Sequence, residues 1–528
     1  MAEEASGAAA RRHEVMVVLP GLMLAMTLAM LDNMIVATAM PRIVGELGGL
    51  AHLSWVVTAY VLGTTVSTPL WGKLGDLYGR KKIFMASIVI FLIGSALCGM
   101  AGSDLLGGVD NGMIQLIAFR ALQGLGAGGL MVNAMATIGD LMPPRERGRY
   151  QGFMGATMGL TMIAGPLVGG FITDHLSWRW AFYVNLPLGA VAMALLAAKL
   201  HLPVRRTEHR IDWAGAGTLA VGISALVLIT TWGGNEYAWA STQILLLSVL
   251  SAVSLAAFLQ IERRAAEPIM PLHLFKDSNF TVVSIISFLL GFAMFGSMNF
   301  VPLFQQMVQG DSATRSGLSM LPMMMSMMVV SIGVGQTITR TGRYRLFPVI
   351  GGVVMTLAMW LLSLQQGDAT RLQTGIAIAV LGAGMGFLMQ TTMLISQNSV
   401  AQKDMGVGSS AATFFRSIGG SFGISLFGAV FSHRLVAELS AKMGPEVADR
   451  MVSTGGSVSP AVFATMPPQL RGQLVDSLAS SISAVFVWAI LFAALVPVTA
   501  WFLKHVPLRG GDPAEGEGAA QRSAAAFE

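Results

Sequence analysis

Apolar runs of about 20 residues recur along nearly the whole chain, divided by short polar turns, and each is long enough to cross a bilayer as a helix. The pattern predicts fourteen spans, at 15–40, 54–72, 83–101, 114–138, 150–172, 181–199, 212–231, 242–261, 279–303, 316–338, 346–364, 373–395, 408–432 and 480–503. No soluble catalytic domain interrupts them. The tails at 1–14 and 504–528 are short, and the Ala/Gly/Glu-rich stretches 1–14 and 509–528 are expected to be unstructured. One sizeable insertion, 433–479, separates the last two spans and holds Pro445, Pro460, Pro467 and Pro468. The expected fold class is an all-α membrane protein.

Composition narrows the reading further. The chain is 54% hydrophobic and 12% charged, against roughly 25% charged in soluble domains, which excludes an ordinary soluble globule. A net charge of +5 would suggest a nucleic-acid partner in a soluble protein; here topology accounts for it, and no nucleic acid is expected. With a cytoplasmic N-terminus, the tails and even-numbered loops hold 23 of the 33 Lys and Arg residues, the opposite side holds 8, and Arg120 and Arg416 fall inside spans. That asymmetry follows the positive-inside rule and places both termini in the cytoplasm, with the protein in the cell (inner/plasma) membrane and surrounded by lipid. Arg11 and Arg12 before the first span, with Ala37-Thr38-Ala39 near its end, imitate a signal peptide. The apolar run is longer than a signal core of about 7–15 residues and contains an acid, so it is read as a span. The single cysteine, Cys98, lies in an apolar run and can form neither an intrachain disulfide nor a zinc cage.

That acid is Asp32, the only one in the first span. A carboxylate near the middle of a membrane helix costs roughly 2.5–3.5 kcal/mol on insertion scales and usually marks a proton or ion path. Arg120 lies in the fourth span, which runs antiparallel to the first, so the two charges fall at comparable depth. A snorkelling anchor would also explain Arg120. The charge partnership is preferred: Arg120 stabilises ionised Asp32, and protonation of Asp32 frees Arg120 and weakens the helix contact.

The loop between spans 2 and 3 reads Gly72-Lys73-Leu74-Gly75-Asp76-Leu77-Tyr78-Gly79-Arg80-Lys81-Lys82. A short cytoplasmic turn needs glycine and positive charge, but the order is more specific. Gly72 permits close helix contact, Asp76 can accept from a helix N-terminus, and Arg80 can pair with a carboxylate across the loop. This loop resembles motif A of the major facilitator superfamily, a cytoplasmic latch that holds the two halves in the outward-facing state. Leu31-Asp32 with Pro41 downstream is similar to the first-span signature of the drug:proton antiporters with fourteen spans. Arg120 in Phe119-Arg120-Ala121-Leu122-Gln123-Gly124 resembles motif B. Gly155, Gly159, Gly165-Pro166 and Gly169-Gly170 resemble motif C, which is associated with antiporters. Trp178-Arg179-Trp180, Asn185 and Pro187 fit the start of the sixth span, and Phe415-Arg416-Ser417-Ile418-Gly419-Gly420 resembles a recurring element of the subfamily. The resemblance covers residues 30–435.

The resemblance implies a major facilitator fold: a six-helix bundle over 15–199, two linking helices over 212–261, and a second bundle over 279–503. It implies proton-coupled efflux of amphipathic or cationic drugs and antibiotics by alternating access, with Asp32 as proton carrier. A dedicated exporter of one endogenous metabolite is the alternative. Asn33, Asn299, Gln305, Gln306, Gln390 and Arg416 are candidates for an amphipathic cavity lining; Arg416 is equally a structural anchor, and the many methionines serve either as pocket lining or as bilayer-facing filler. Acids are missing from spans 9 to 13, so Asp32 is also the main candidate for recognising a cation.

Other chemistry is excluded. Gly124, Gly126 and Gly129 match GxGxxG but lie inside a span with no preceding strand, and no GxxxxGK[ST] is present for a phosphate cradle. All eight histidines fall in tails, loops or helix ends, so neither a histidine relay nor a catalytic metal site is expected. No cofactor is called for, and a membrane-embedded enzyme would need a dense polar cluster that only the motif A loop supplies. The expected partners are small amphipathic substrates and protons, on a monomer. The 433–479 segment, outside by parity, is read first as a passive surface loop, with docking of a periplasmic adaptor as the alternative.

Overall fold

The computed structural model describes residues 2–47, 53–104, 108, 111–142, 157, 160–161, 164–165, 167–172, 175–200, 212–234, 237–265, 267–311, 313–401, 404–443 and 468–508. The first half contains α1 (Ala2–Leu47), α2 (Leu53–Tyr78), α3 (Arg80–Met100), α4 (Gly112–Leu141), the short α5 (Trp180–Tyr183) and α6 (Asn185–Lys199). Two helices follow, α7 (Trp213–Trp232) and α8 (Thr242–Glu262). The second half contains α9 (Ser278–Met298), α10 (Phe300–Met307), α11 (Ala313–Leu318), α12 (Leu321–Thr341), α13 (Leu346–Ser363), α14 (Arg371–Asn398), α15 (Met405–Met443) and α16 (Pro468–Trp501).

Among the described residues, 12 helical stretches are long and apolar enough to cross a membrane, from Val17–Met40 to Leu470–Trp501. The predicted second span is a full helix, α2, but falls outside that set because hydroxyls break its apolar run. Those hydroxyls are satisfied inside the membrane layer: Thr68 Oγ1 donates to Thr64 O at 2.6 Å, and Ser67 Oγ donates to Leu125 O of α4 at 3.0 Å. Most of the predicted fifth span lies outside the described residues, and those it retains are helical.

Two expectations change. Residues 2–14, read as an unstructured tail, continue as the first turns of α1, consistent with the helix propensity of their Ala and Glu. The 433–479 insertion is shorter than the sequence suggested: α15 runs on to Met443 and α16 begins at Pro468, with 444–467 outside the described residues.

The two halves share one packing scheme. In the first, α2 and α3 pack on α4, and α1 on α6; in the second, α12 and α13 pack on α14, and α9 on α16. Small residues let these helices touch at backbone distance. A methyl group at Gly124 would lie 2.4 Å from Tyr60 O of α2, and one at Gly382 would lie 1.9 Å from Met323 O of α12. The helices α7 and α8 pack on each other, and α7 lies against both α2 and α15. A shared apolar core there joins Leu62 and Val66 of α2, Ile223 of α7, and Phe414 and Ile418 of α15.

Candidate functional site

Side chains from α4 and α6 converge on the carboxylate of Asp32 in α1, which is fully buried, and are backed by Tyr60 of α2 and Ser95 of α3. Its Oδ2 accepts from Arg120 Nη1. Its Oδ1 accepts from Gln123 Nε2 and from Asn185 Nδ2, each at 2.8 Å. Arg120, itself fully buried, also donates to Gln123 Oε1 at 2.9 Å and to Asn33 Oδ1 at 3.0 Å. Its guanidinium lies 4.1 Å from the centre of the Tyr60 ring, which adds a cation–π contact. Tyr60 is fixed in turn by its hydroxyl, which donates to Ala29 O at 2.9 Å. Asn185 Nδ2 also donates to Ser95 Oγ at 2.9 Å, while Asn185 Oδ1 is buried without a partner.

The helix geometry explains why these residues meet. Arg120 and Gln123 are three apart on α4 and share a face, so both reach the same carboxylate. A buried charge pair is tolerated when further hydrogen bonds satisfy its remaining polar atoms, and that condition holds here. Protonating Asp32 would remove the charge that three donors address and release Arg120 toward Asn33 and Tyr60.

A second cluster lies at the turn between α2 and α3; this end of the molecule, rich in Lys and Arg, is called the basic face below. Gly79 has φ 92°, a left-handed conformation that glycine adopts without strain, and it allows α3 to start one residue after α2 ends. Arg80, at the start of α3, donates to Asp76 and to Asp140 at the end of α4. Asp76 then reaches the other half: Oδ1 accepts from Gly406 N at 2.9 Å and Oδ2 from Val407 N at 3.1 Å. These are free amides in the first turn of α15, where the helix dipole favours a carboxylate. Gly72 supports the crossing, since a methyl group there would sit 2.6 Å from Gly406 O. Burial pushes the Asp76 carboxyl up to about 6, against the opposing pull of Arg80 and the two amides. A further hydrogen bond between the halves runs from Gln397 Nε2 to Met135 O at 3.2 Å. These bonds between the halves lie at the basic face.

At the opposite face, Glu46 of α1 accepts from Trp178 Nε1 at 2.8 Å and from Arg179. Partial burial raises the Glu46 carboxyl, but those two donors outweigh it and hold the group below the usual carboxylate range.

The other candidates are dispersed. Methyl groups at Gly165 and Gly169 would lie 2.3 Å from Met34 Cβ and 2.1 Å from Thr38 Oγ1, so this part of the fifth span packs on α1 next to Asp32. Gly170 faces open space, and Gly155, Gly159 and Pro166 lie outside the described residues. Asn299 is exposed, Gln390 is buried in α14, and Gln305 is buried with its amide oxygen taken by Ser316 Oγ at 2.9 Å. Arg416 is 7% exposed and makes no hydrogen bond or ion pair to a described residue. Sequence reasoning gave no role to Gln123, Tyr60, Asp140 or Gly406. Of these, Gln123 had a usable signal, its three-residue spacing from Arg120.

A family model described as Major Facilitator Superfamily matches residues 22–424. The chain belongs to the major facilitator superfamily. Among its relatives is the multidrug transporter protein MdtP of Bacillus subtilis, 38% identical over 536 residues, covering 96% of each chain. Multidrug resistance protein 3 of Bacillus subtilis is 34% identical over 501 residues, covering 94% of this chain and 96% of that one. The solved structure of the proton:xylose symporter XylE superposes with a TM-score of 0.57 over 90% of this chain and 96% of its own, at 13% identity, which speaks to fold. The protein is therefore a multi-pass membrane transporter of this superfamily and not an enzyme.

Proposed function

We propose that this transporter exports amphipathic small molecules, drugs and antibiotics among them, in exchange for protons. The observation that carries the reading is the fully buried Asp32 carboxylate, held by Arg120, Gln123 and Asn185 across three helices. Protonation changes the contacts of α1, α4 and α6 together, which is what coupling a proton to helix movement requires. Asn185 Oδ1, buried without a partner, can accept from protonated Asp32 after a half-turn of the amide. The multidrug names of the Bacillus relatives support efflux of foreign compounds.

The basic face is read as cytoplasmic, by the charge asymmetry of the loops. With that face latched by Asp76, Arg80 and Gly406, the cavity opens outward. In the cycle, Asp32 takes a proton from outside as cargo leaves; the latch opens, the proton is released inward, and new cargo binds. One proton entering down a potential of 100 mV supplies about 2.3 kcal/mol, enough for a roughly 50-fold cargo gradient.

Cells expressing the protein should hold less of a fluorescent amphiphile than control cells. An ionophore that collapses the proton gradient should abolish the difference, as should Asp32→Asn. Efflux that survives the ionophore and follows cellular ATP instead would contradict the proposal.

A further inference from the structure

Away from their ends, the predicted spans contain three charged side chains, Asp32, Arg120 and Arg416. Asp32 and Arg120 neutralise each other. Arg416 does not share in that pairing. It lies eleven residues into α15, about 16 Å along the axis at 1.5 Å per residue and so near mid-depth of a bilayer core roughly 30 Å thick. α15 packs on α9, α16, α2, α4, α14 and α7, and the Arg416 backbone lies against Gly291 of α9. The side chain is 93% buried, has no hydrogen-bond or ion-pair partner among the described residues, and none of its nitrogens is fully sealed from accessible space. A guanidinium carries five donors and stays charged in proteins, so it cannot relieve this position by losing a proton.

The surroundings show what could complete it. Arg416, Gly420 and Ile424 recur at four-residue spacing, on one face of α15. Gly420 lies against the Phe295 ring of α9, and Phe295, Asn299 one turn further, and Ile424 are all exposed. Moving away from the basic face, a buried cation is followed by exposed aromatic, amide and aliphatic side chains. A cationic cargo has no counterpart here, since both oxygens of Asp32 are already occupied by protein donors. It would raise the interior charge from one to two, whereas an anion would cancel it.

We propose that Arg416 binds an anionic group of the cargo, so that the substrates include amphipathic organic acids whose carboxylate, sulfonate or phenolate pairs with Arg416 while the apolar body lies along Phe295 and Ile424. This rests on the efflux reading above and specifies the charge of what is carried.

The test uses full-length protein in proteoliposomes and two fluorescent probes that share one apolar body and differ by a sulfonate: 8-anilino-1-naphthalenesulfonate and N-phenyl-1-naphthylamine. With wild type under an imposed proton gradient, the sulfonate probe should show a KM about tenfold below that of the neutral probe. Arg416→Gln should raise the KM of the sulfonate probe about tenfold and leave the neutral probe unchanged, while Arg416→Lys keeps most of the preference. Equal KM values in wild type, or an equal loss for both probes in Arg416→Gln, overturn the proposal even if one variant folds poorly. If wild type moves neither probe, the efflux reading fails by itself. Equilibrium binding to purified protein then decides the anion site: tighter binding of the sulfonate probe that depends on Arg416 supports it, and equal binding of both probes refutes it.

Discussion

At the scale of single residues, Asp32 and Arg120 are legible from sequence because a charge inside an apolar run is expensive enough to need a reason. Their partners are harder to read, although the three-residue spacing of Gln123 from Arg120 is a usable signal. Gln123, Asn185 and Tyr60 are residue types that membrane helices tolerate in many places, and only the meeting of α2, α4 and α6 at α1 gives them a role. The arrangement makes an energetic prediction. Arg120→Gln leaves the Asp32 carboxylate buried without its counter-charge and should destabilise the protein by about 3–5 kcal/mol. The double variant Asp32→Asn/Arg120→Gln removes both charges and should recover most of that loss. Thermal unfolding of the purified variants checks this; a double variant as unstable as the single one would show that the pair does not act as a unit.

Among the elements, the turn between α2 and α3 shows how far a motif can be read. Its glycines and the roles of Asp76 and Arg80 are accessible to sequence reasoning, because a short turn limits what each can reach. The receiving helix was not, since Gly406 and Val407 lie 330 and 331 residues away from Asp76 and carry no mark of their own. The proposed latch carries a pH dependence of definite sign. The Asp76 carboxyl is at about 6 when buried in the closed basic face, against 3.8 for the free group. The closed arrangement therefore binds a proton more readily than the open one. The resulting advantage is complete below 3.8 and is lost as pH rises through about 6. Spin-label distances between α2 and α15 should show the closed population growing as pH at the basic face falls from 7 to 5, and Asp76→Asn should flatten that response. A closed population that shrinks over this range in wild type would contradict the burial-dominated account.

For the whole molecule, the fourteen-span pattern and the all-α class are read directly from run lengths. The lengths of the ends were harder. Propensity in 2–14 extends α1, and apolar positions beyond 432 carry α15 to Met443. The pairing of α7 with the seam between α2 and α15 is a tertiary fact that no local pattern announces. The hydrogen bonds from Gly406 and Val407 to Asp76 and from Gln397 to Met135 join the halves at the basic face, so tying them together there should stop transport. Met135→Cys and Gln397→Cys, joined by a cleavable bifunctional reagent, should abolish cargo movement while leaving binding from the opposite face intact. Reduction of the linker should restore it. The single native cysteine, Cys98, is buried and does not compete for the reagent. Transport that continues at full rate across the linked basic face would rule out alternating access through this end.

The central claim is that Asp32 couples proton to cargo. Its most direct test is cargo-evoked proton movement in proteoliposomes, followed with a trapped pH dye, for wild type and Asp32→Asn. The account predicts proton exchange in wild type, with cargo binding retained but exchange absent in Asp32→Asn. Equal proton movement in the two proteins would contradict it and place the coupling elsewhere in the molecule.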